Sequence, residues 1–162
     1  MLTLARLKEV IRYDAKRGTF TWRKRLNNNG PKIGGRAGTK TTWGYIGINI
    51  DGRRYFAHRL AWLYVTGEWP RREIDHRRGP SNRWRNLREA TRAQNCHNTP
   101  RRRDNTSGAK GISYDRARGC WRAYVNKRGR QIWHHRFPSK RAAIAARRNA
   151  ARRYHGEFAR HS

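Results

Sequence analysis

The chain has 162 residues, of which 40 are lysine or arginine and only 10 are acidic, so its formal net charge is +30. A charge this large favours a polyanionic partner, because each neutralised phosphate releases condensed counterions, and nucleic acid is the leading partner. No run of about 18 apolar residues exists, which excludes a transmembrane span. The opening MLTLARLKEV lacks the apolar core of a signal peptide, so a cytoplasmic location is expected. Two isolated cysteines exclude a four-cysteine zinc site.

The first half of the chain predicts a helix, a strand, a loop, a hairpin and a second helix. Thr3 is the expected N-cap of the opening helix, and residues 19–22 alternate like a strand. Residues 27–42, rich in Gly, Asn and Thr, are expected to form a loop. Asp51-Gly52, flanked by alternating apolar residues, predicts a β-hairpin. Residues 58–65 predict a helix that Gly67 stops.

The segment EIDH, residues 73–76, places an aspartate before a histidine in a stretch crowded with arginine. Phosphodiester hydrolysis needs an activated water, charge stabilisation and protonation of the leaving oxygen, and a single hard divalent ion can supply the last two. Such an ion prefers oxygen ligands, which Asp75 and the Asn95 side chain offer. A neutral His76 suits the role of general base. Asn86 is the expected residue that orients it, with Asn82 as the alternative.

The second half predicts a short helix, a linker and a further module. Thr91 and Gln94 have capping-box spacing. Three strand-like runs follow, at 110–115, 120–126 and 130–137, and Ser139 is expected to cap an alanine-rich helix whose arginines (Arg147, Arg148, Arg152 and Arg153) face solvent. The predicted class is therefore α+β. Its expected parts are an N-terminal helix and hairpin segment at 1–57, a module at 58–100, a linker at 101–106 and a second module at 107–160.

The run HRLAW followed by EIDHRRGPSNRWRNLREATRAQNCHN resembles the HNH endonucleases, in particular phage and homing members with a ββα-metal site. This resemblance implies a metal-dependent DNA endonuclease in which Asp75 and Asn95 hold one Mg²⁺ or Mn²⁺. It implies His76 as general base, Asn86 as its orienting residue, and a supporting role for His58. The loop between His76 and Asn86 is about two residues shorter than is usual in this family.

Residues 107–160 resemble the plant APETALA-type, or ethylene-response-factor-like, DNA-binding domains. The resemblance is carried by Gly111-Ile112, Trp121-Arg122-Ala123, Phe137, the alanine-rich helix and residues 155–159. It implies a three-stranded antiparallel sheet that packs on one helix and lies in the major groove of double-stranded DNA. Strand alternation and turn position then select the expected DNA-contacting residues: Arg116, Arg118, Arg122, Tyr124, Asn126, Lys127, Arg128 and Arg130.

Two other functions compete with a two-module nuclease. A non-catalytic DNA-binding protein with a degenerate HNH module is the first, and the shortened loop favours it. An RNA-binding protein of ribosomal character is the second, for which charge alone would suffice, although no RRM-type aromatic motif is present. No obligate protein partner is inferred.

Overall fold

The computed structural model describes residues 1–27, 30–98 and 104–159. It divides the chain into two compact units, Met1–Ala90 and Thr91–Ser162. The first boundary differs from the prediction, which separated residues 1–57 from a module at 58–100. One apolar core runs from Leu2 to Leu87 and includes the opening helix and both hairpins. The opening segment is therefore part of the same folded unit as EIDH.

Both units combine helices with antiparallel strands, which is consistent with the predicted α+β class. The α-helices of the described residues are α1 (Leu4–Val10), α2 (Ala57–Thr66), α3 (Arg92–His97) and α4 (Lys140–His155). The strands of the first unit are β1 (Ile11–Asp14), β2 (Thr19–Trp22), β3 (Arg36–Ala37), β4 (Thr39–Lys40), β5 (Ile46–Ile50), β6 (Arg53–Phe56), β7 (Glu73–His76) and β8 (Leu87–Ala90). Those of the second unit are β9 (Ile112–Asp115), β10 (Cys120–Lys127) and β11 (Arg130–Phe137).

The first unit contains two three-stranded sheets, ordered β1-β2-β3 and β4-β5-β6, and the two-stranded β7-β8 ribbon. The Asp51-Gly52 turn is confirmed, and both residues have the positive φ, 49° and 74°, that a tight hairpin turn requires. The predicted loop over 27–42 is wrong in part. It contains the short strands β3 and β4, which pair with β2 and β5 and which no local alternation signals.

The second unit packs helix α4 against an antiparallel sheet ordered β11-β10-β9. Ala123 and Val125 of β10 are buried with Ala143, Ala150 and Ala151 of α4, since small side chains let helix and sheet approach closely. Ser139 accepts a hydrogen bond from the Ala142 backbone N–H, which confirms it as the N-cap.

One expectation for α4 is wrong. Arg147, predicted to face solvent with the other helix arginines, is only 6% exposed. Its position on α4, three and four residues from the buried Ala143, Ala150 and Ala151, places it on the packed stripe. In the described part of the chain, no helix is long and apolar enough to cross a membrane.

Candidate active site around His76

The β7-β8 ribbon carries the EIDH segment and places a charged pair at its centre. Its register sets Asp75 opposite Arg88 and His76 opposite Leu87. The Arg88 guanidinium donates from Nε and Nη2 to Oδ2 of Asp75, each at 2.8 Å. Both side chains are buried, at 4% and 7% exposure. A buried carboxylate needs such a partner, because desolvating an isolated charge costs several kcal/mol.

His76 lies at the end of β7 and contacts an amide of the loop that follows. Its Nε2 lies 2.9 Å from Oδ1 of Asn82, which is itself buried. When Nε2 carries the proton, it donates to this carbonyl oxygen and the basic lone pair is on Nδ1. Asn82, named above as the alternative, is thus the asparagine whose side chain meets His76.

The Asn86 side chain serves the loop between the strands. Its Oδ1 accepts from the Arg78 backbone N–H at 2.8 Å, and its Nδ2 donates to the Ser81 carbonyl at 2.7 Å. A direct contact between Asn86 and His76 was predicted, but the Asn86 side chain bonds to the loop backbone and its effect on His76 is indirect. Asn86 braces the backbone of residues 78–81, which leads directly into Asn82.

The position of Asn82 depends on the N-terminal hairpin β1-β2. The Tyr13 hydroxyl donates to the Asn82 carbonyl at 2.6 Å, and the Trp84 N–H donates to the Ala15 carbonyl at 3.0 Å. Gly18, with φ of 72°, lies so close that a Cβ there would be 2.3 Å from the Arg83 nitrogen. Residues outside the EIDH segment therefore fix the amide that contacts His76.

A cluster of rings surrounds His76 on the side of α2. His58 meets it in a T-shaped contact with ring centroids 5.2 Å apart, and the Tyr45 ring is stacked 6.0 Å away. His58 is 8% exposed, and its Nδ1 has no hydrogen-bond partner. Burial, together with nearby His76 and Arg59, lowers the pKa of His58 to about 3. A neutral His58 adds no positive charge beside His76. Tyr45 was not among the predicted site residues, because only the pairing of β4 with β5 brings it close to His76.

The donor that this part of the molecule would offer a hard divalent cation is the Asp75 carboxylate, which is buried and paired with Arg88. Asp75 supplies a carboxylate on the strand that also carries His76. No group of three or more His, Cys, Asp or Glu side chains able to hold a metal is present among the described residues. Mg²⁺ commonly retains several waters and takes only one or two carboxylates, so Asp75 suits it better than it suits a zinc ion.

Asn95, the predicted second metal ligand, lies half-buried on α3 in the second unit. The capping box predicted for this helix is confirmed. The Thr91 hydroxyl accepts from the Gln94 N–H, and the Gln94 side chain accepts from the Thr91 N–H. Asn95 is thereby fixed in the first turns of α3, and its role as a ligand stays a prediction.

The predicted DNA-contacting residues lie on β10 or at the turns of its sheet. Arg122 donates to Gln131 at 3.0 Å, and Arg118 approaches Asp115 at 3.5 Å. Tyr124 is half-buried. The Arg128-Gly129 turn has positive φ at both residues, as in a tight hairpin turn that reverses the chain between β10 and β11. The remaining predicted side chains are exposed: Arg116, Asn126, Lys127, Arg128 and Arg130.

The second unit also holds a cavity of about 460 Å³ beside β10 and α4. The rings of His97 and His155 stack there with centroids 3.9 Å apart, and Arg147 also lines it. Burial and the neighbouring histidine lower the pKa of His155 to about 4, and burial lowers that of His97. Both rings are therefore neutral at pH 7.

Two comparisons with known proteins bear on this geometry. A family model described as HNH endonuclease matches residues 55–97, the segment that contains His58, Asp75, His76 and Asn95. Protein 3.8 of Escherichia phage T7 is 36% identical over 108 residues, which are 64% of this chain and 87% of that protein. The chain belongs to the family of Protein 3.8. No solved structure matches it.

The HNH match confirms the resemblance drawn from HRLAW and EIDH, and it suggests a nuclease whose substrate is DNA. The matched segment spans β7, its loop and β8, where His76 and its partner Asn82 lie. The relative is a protein of a bacteriophage. The residues before position 55, which hold the Tyr13 and Gly18 anchors, lie outside the family model.

Proposed function

We propose that the chain is a metal-dependent HNH DNA endonuclease of phage or homing type. The observation that carries this proposal is the contact of His76 Nε2 with Asn82 Oδ1 at 2.9 Å. An amide oxygen on Nε2 selects the tautomer whose Nδ1 can accept a proton from an attacking water. His76 is the general base in this proposal and Asn82 is its positioning residue.

Asp75 is the proposed ligand for one Mg²⁺ or Mn²⁺ in the first unit, and Asn95 is the second ligand that the HNH resemblance implies. A bound divalent ion supplies charge stabilisation on the phosphoryl oxygens and a polarised water near the leaving oxygen. Arg88 holds the carboxylate through two donors on its Oδ2. His58 supports the site as a neutral ring packed against His76.

The C-terminal unit is the proposed anchor on double-stranded DNA. Its support is a three-stranded sheet on one helix, as the APETALA-type resemblance implies, with basic and polar side chains at the turns. Exposed arginines and lysines there suit phosphates and guanine edges. Arg122, already bonded to Gln131, would exchange that bond for one to DNA.

The deciding experiment is nicking of supercoiled plasmid with Mg²⁺, with and without chelator, followed by mapping of the ends. His76→Ala should slow cleavage by about 100-fold or more, since a general base contributes about 10²–10⁴. Asn82→Ala should lower the cleavage rate while DNA affinity stays at the parental value. His135→Ala is the matched control, because this exposed histidine is opposite Ala123 and so lies on the helix-packed face of the sheet, away from the face proposed for DNA.

One observation favours the alternative of a non-catalytic DNA-binding protein. Asp75 is committed to a buried pair with Arg88, which is also how a purely structural aspartate would be held. That alternative predicts tight duplex binding with no chelator-sensitive nicking. If His76→Ala cuts at the parental rate, the assignment of His76 as general base is wrong.

A further inference from the structure

One tryptophan differs from the rest in its surroundings. Trp43 is 84% exposed, whereas the other six tryptophans are buried or half-buried. An exposed indole gains nothing from the core, and tryptophan is enriched where proteins contact their partners. Among the described residues of the first unit, none covers this ring to any large extent.

Trp43 is held on a defined turn. It lies between β4 and β5, where the Thr41 N–H donates to the Tyr45 carbonyl at 2.7 Å and the Gly44 N–H donates to the Thr41 carbonyl at 2.9 Å. Gly44 has φ of 83°, which a side-chain-bearing residue rarely adopts. The turn therefore presents the indole on a closed hairpin end.

The same hairpin leads directly to the candidate active site. Tyr45 lies two residues after Trp43. Its ring is stacked on that of His76 with centroids 6.0 Å apart, and it meets the Phe56 ring edge-on with centroids 5.8 Å apart. Tyr45 and Phe56 are both exposed. Trp43, Tyr45 and Phe56 are thus exposed aromatic residues of one sheet and its turn, an aromatic edge whose member Tyr45 lies next to His76.

The charge around this edge identifies the class of partner. Residues 15–50 contain eight lysines and arginines and no acidic residue. Lys40 and Arg54 are exposed on the strands that carry the edge, and the Arg54 side chain lies over Gly47. Exposed aromatic rings interleaved with cations suit nucleic acid, whose bases offer π-faces and whose phosphates offer charge.

We propose that the indole of Trp43 stacks on a nucleobase of the bound DNA, within a few nucleotides of the phosphate that faces His76. This inference rests on the proposed function for the position of that phosphate, and it adds a base-stacking residue that the HNH roles do not include. Stacking on an unpaired or kinked step would hold the strand beside the site. Trp43 itself takes no part in the proton transfer.

The test uses the full chain carrying His76→Ala, so that binding is measured without cleavage. Trp43→Ala should weaken duplex binding by about 5- to 150-fold, the range found when one base-stacking aromatic is truncated. The slope of log affinity against log salt should stay unchanged, because no phosphate contact is lost. Trp43→Phe should keep most of the affinity, and Ile33→Ala, which removes another exposed apolar side chain, should keep all of it.

A second measurement reports on the ring directly. The fluorescence difference between the parental chain and Trp43→Phe isolates the indole, which acrylamide should quench strongly in the free protein and weakly on DNA. The inference is overturned if Trp43 stays equally quenchable on DNA, or if Trp43→Ala binds as tightly as the parent while remaining folded. Absence of Mg²⁺-dependent cleavage would overturn the proposed function alone, because both readouts here are of binding.

Discussion

Acid should destabilise the first unit through His58. Its pKa falls from an ordinary value of 6.5 to about 3 because the ring is buried beside His76 and Arg59. The folded state therefore keeps His58 neutral while the unfolded chain binds a proton. The stability that the neutral His58 ring contributes is fully present above about pH 6.5, and it is lost as the pH falls towards the pKa of His58 in the folded state.

The expected size of this loss follows from the difference in proton binding. At pH 5, an unfolded-state pKa of about 6.5 lies about 1.5 units above the pH, and each unit is worth about 1.4 kcal/mol. The His58 contribution to the loss is therefore about 2 kcal/mol at pH 5, a sizeable part of a total of about 5–15 kcal/mol.

Urea unfolding of the full chain at pH 7 and pH 5 measures the loss, with His58→Gln as the non-titrating variant. The stability difference between parent and variant should change by about 2 kcal/mol between the two pH values. His97 and His155, whose pKa values are also lowered, act equally in both proteins and cancel. Equal losses in the parent and in His58→Gln would refute the reasoning.

Two further predictions concern the supports of the site. Arg88→Ala should cost about 3–5 kcal/mol in urea unfolding, because it leaves the Asp75 carboxylate buried without its guanidinium; a loss below about 1 kcal/mol would contradict this. Gly18→Ala should destabilise by about 2 kcal/mol or more and also slow cleavage, because its Cβ would displace the backbone at Asn82 and Arg83. Gly52→Ala is the control, since Gly52 has a similar φ of 74° and nothing within 4 Å of the added Cβ. Equal losses of stability in the two variants would show that displacement of the backbone at Asn82 and Arg83 is not the cause.

Local signals predicted much of this fold. The Asp51-Gly52 turn, the Thr91 capping box and the Ser139 N-cap are each set by a few neighbouring residues, and the structure confirms them. Strands β3 and β4 were missed because their pairing is the only thing that defines them. Arg147 was wrongly predicted to face solvent, because charged side chains of a helix usually do so.

The candidate site was predictable as far as its linear motif extends. Asp75 and His76 follow from EIDH, and the Arg88 partner could have been found by pairing EIDH with LREA in register. That Asn82 rather than Asn86 contacts His76 could not be predicted, because Tyr13 and Gly18, about 65 residues earlier in the sequence, fix the position of Asn82. The shortened loop was the only hint in the sequence.

The contact of Tyr13 with the Asn82 carbonyl has a consequence for protein engineering. A segment cut to the HNH match, residues 55–97, would lose the hydroxyl that fixes the loop and much of the core beneath it. A transplant into another host protein should therefore carry the opening hairpin along.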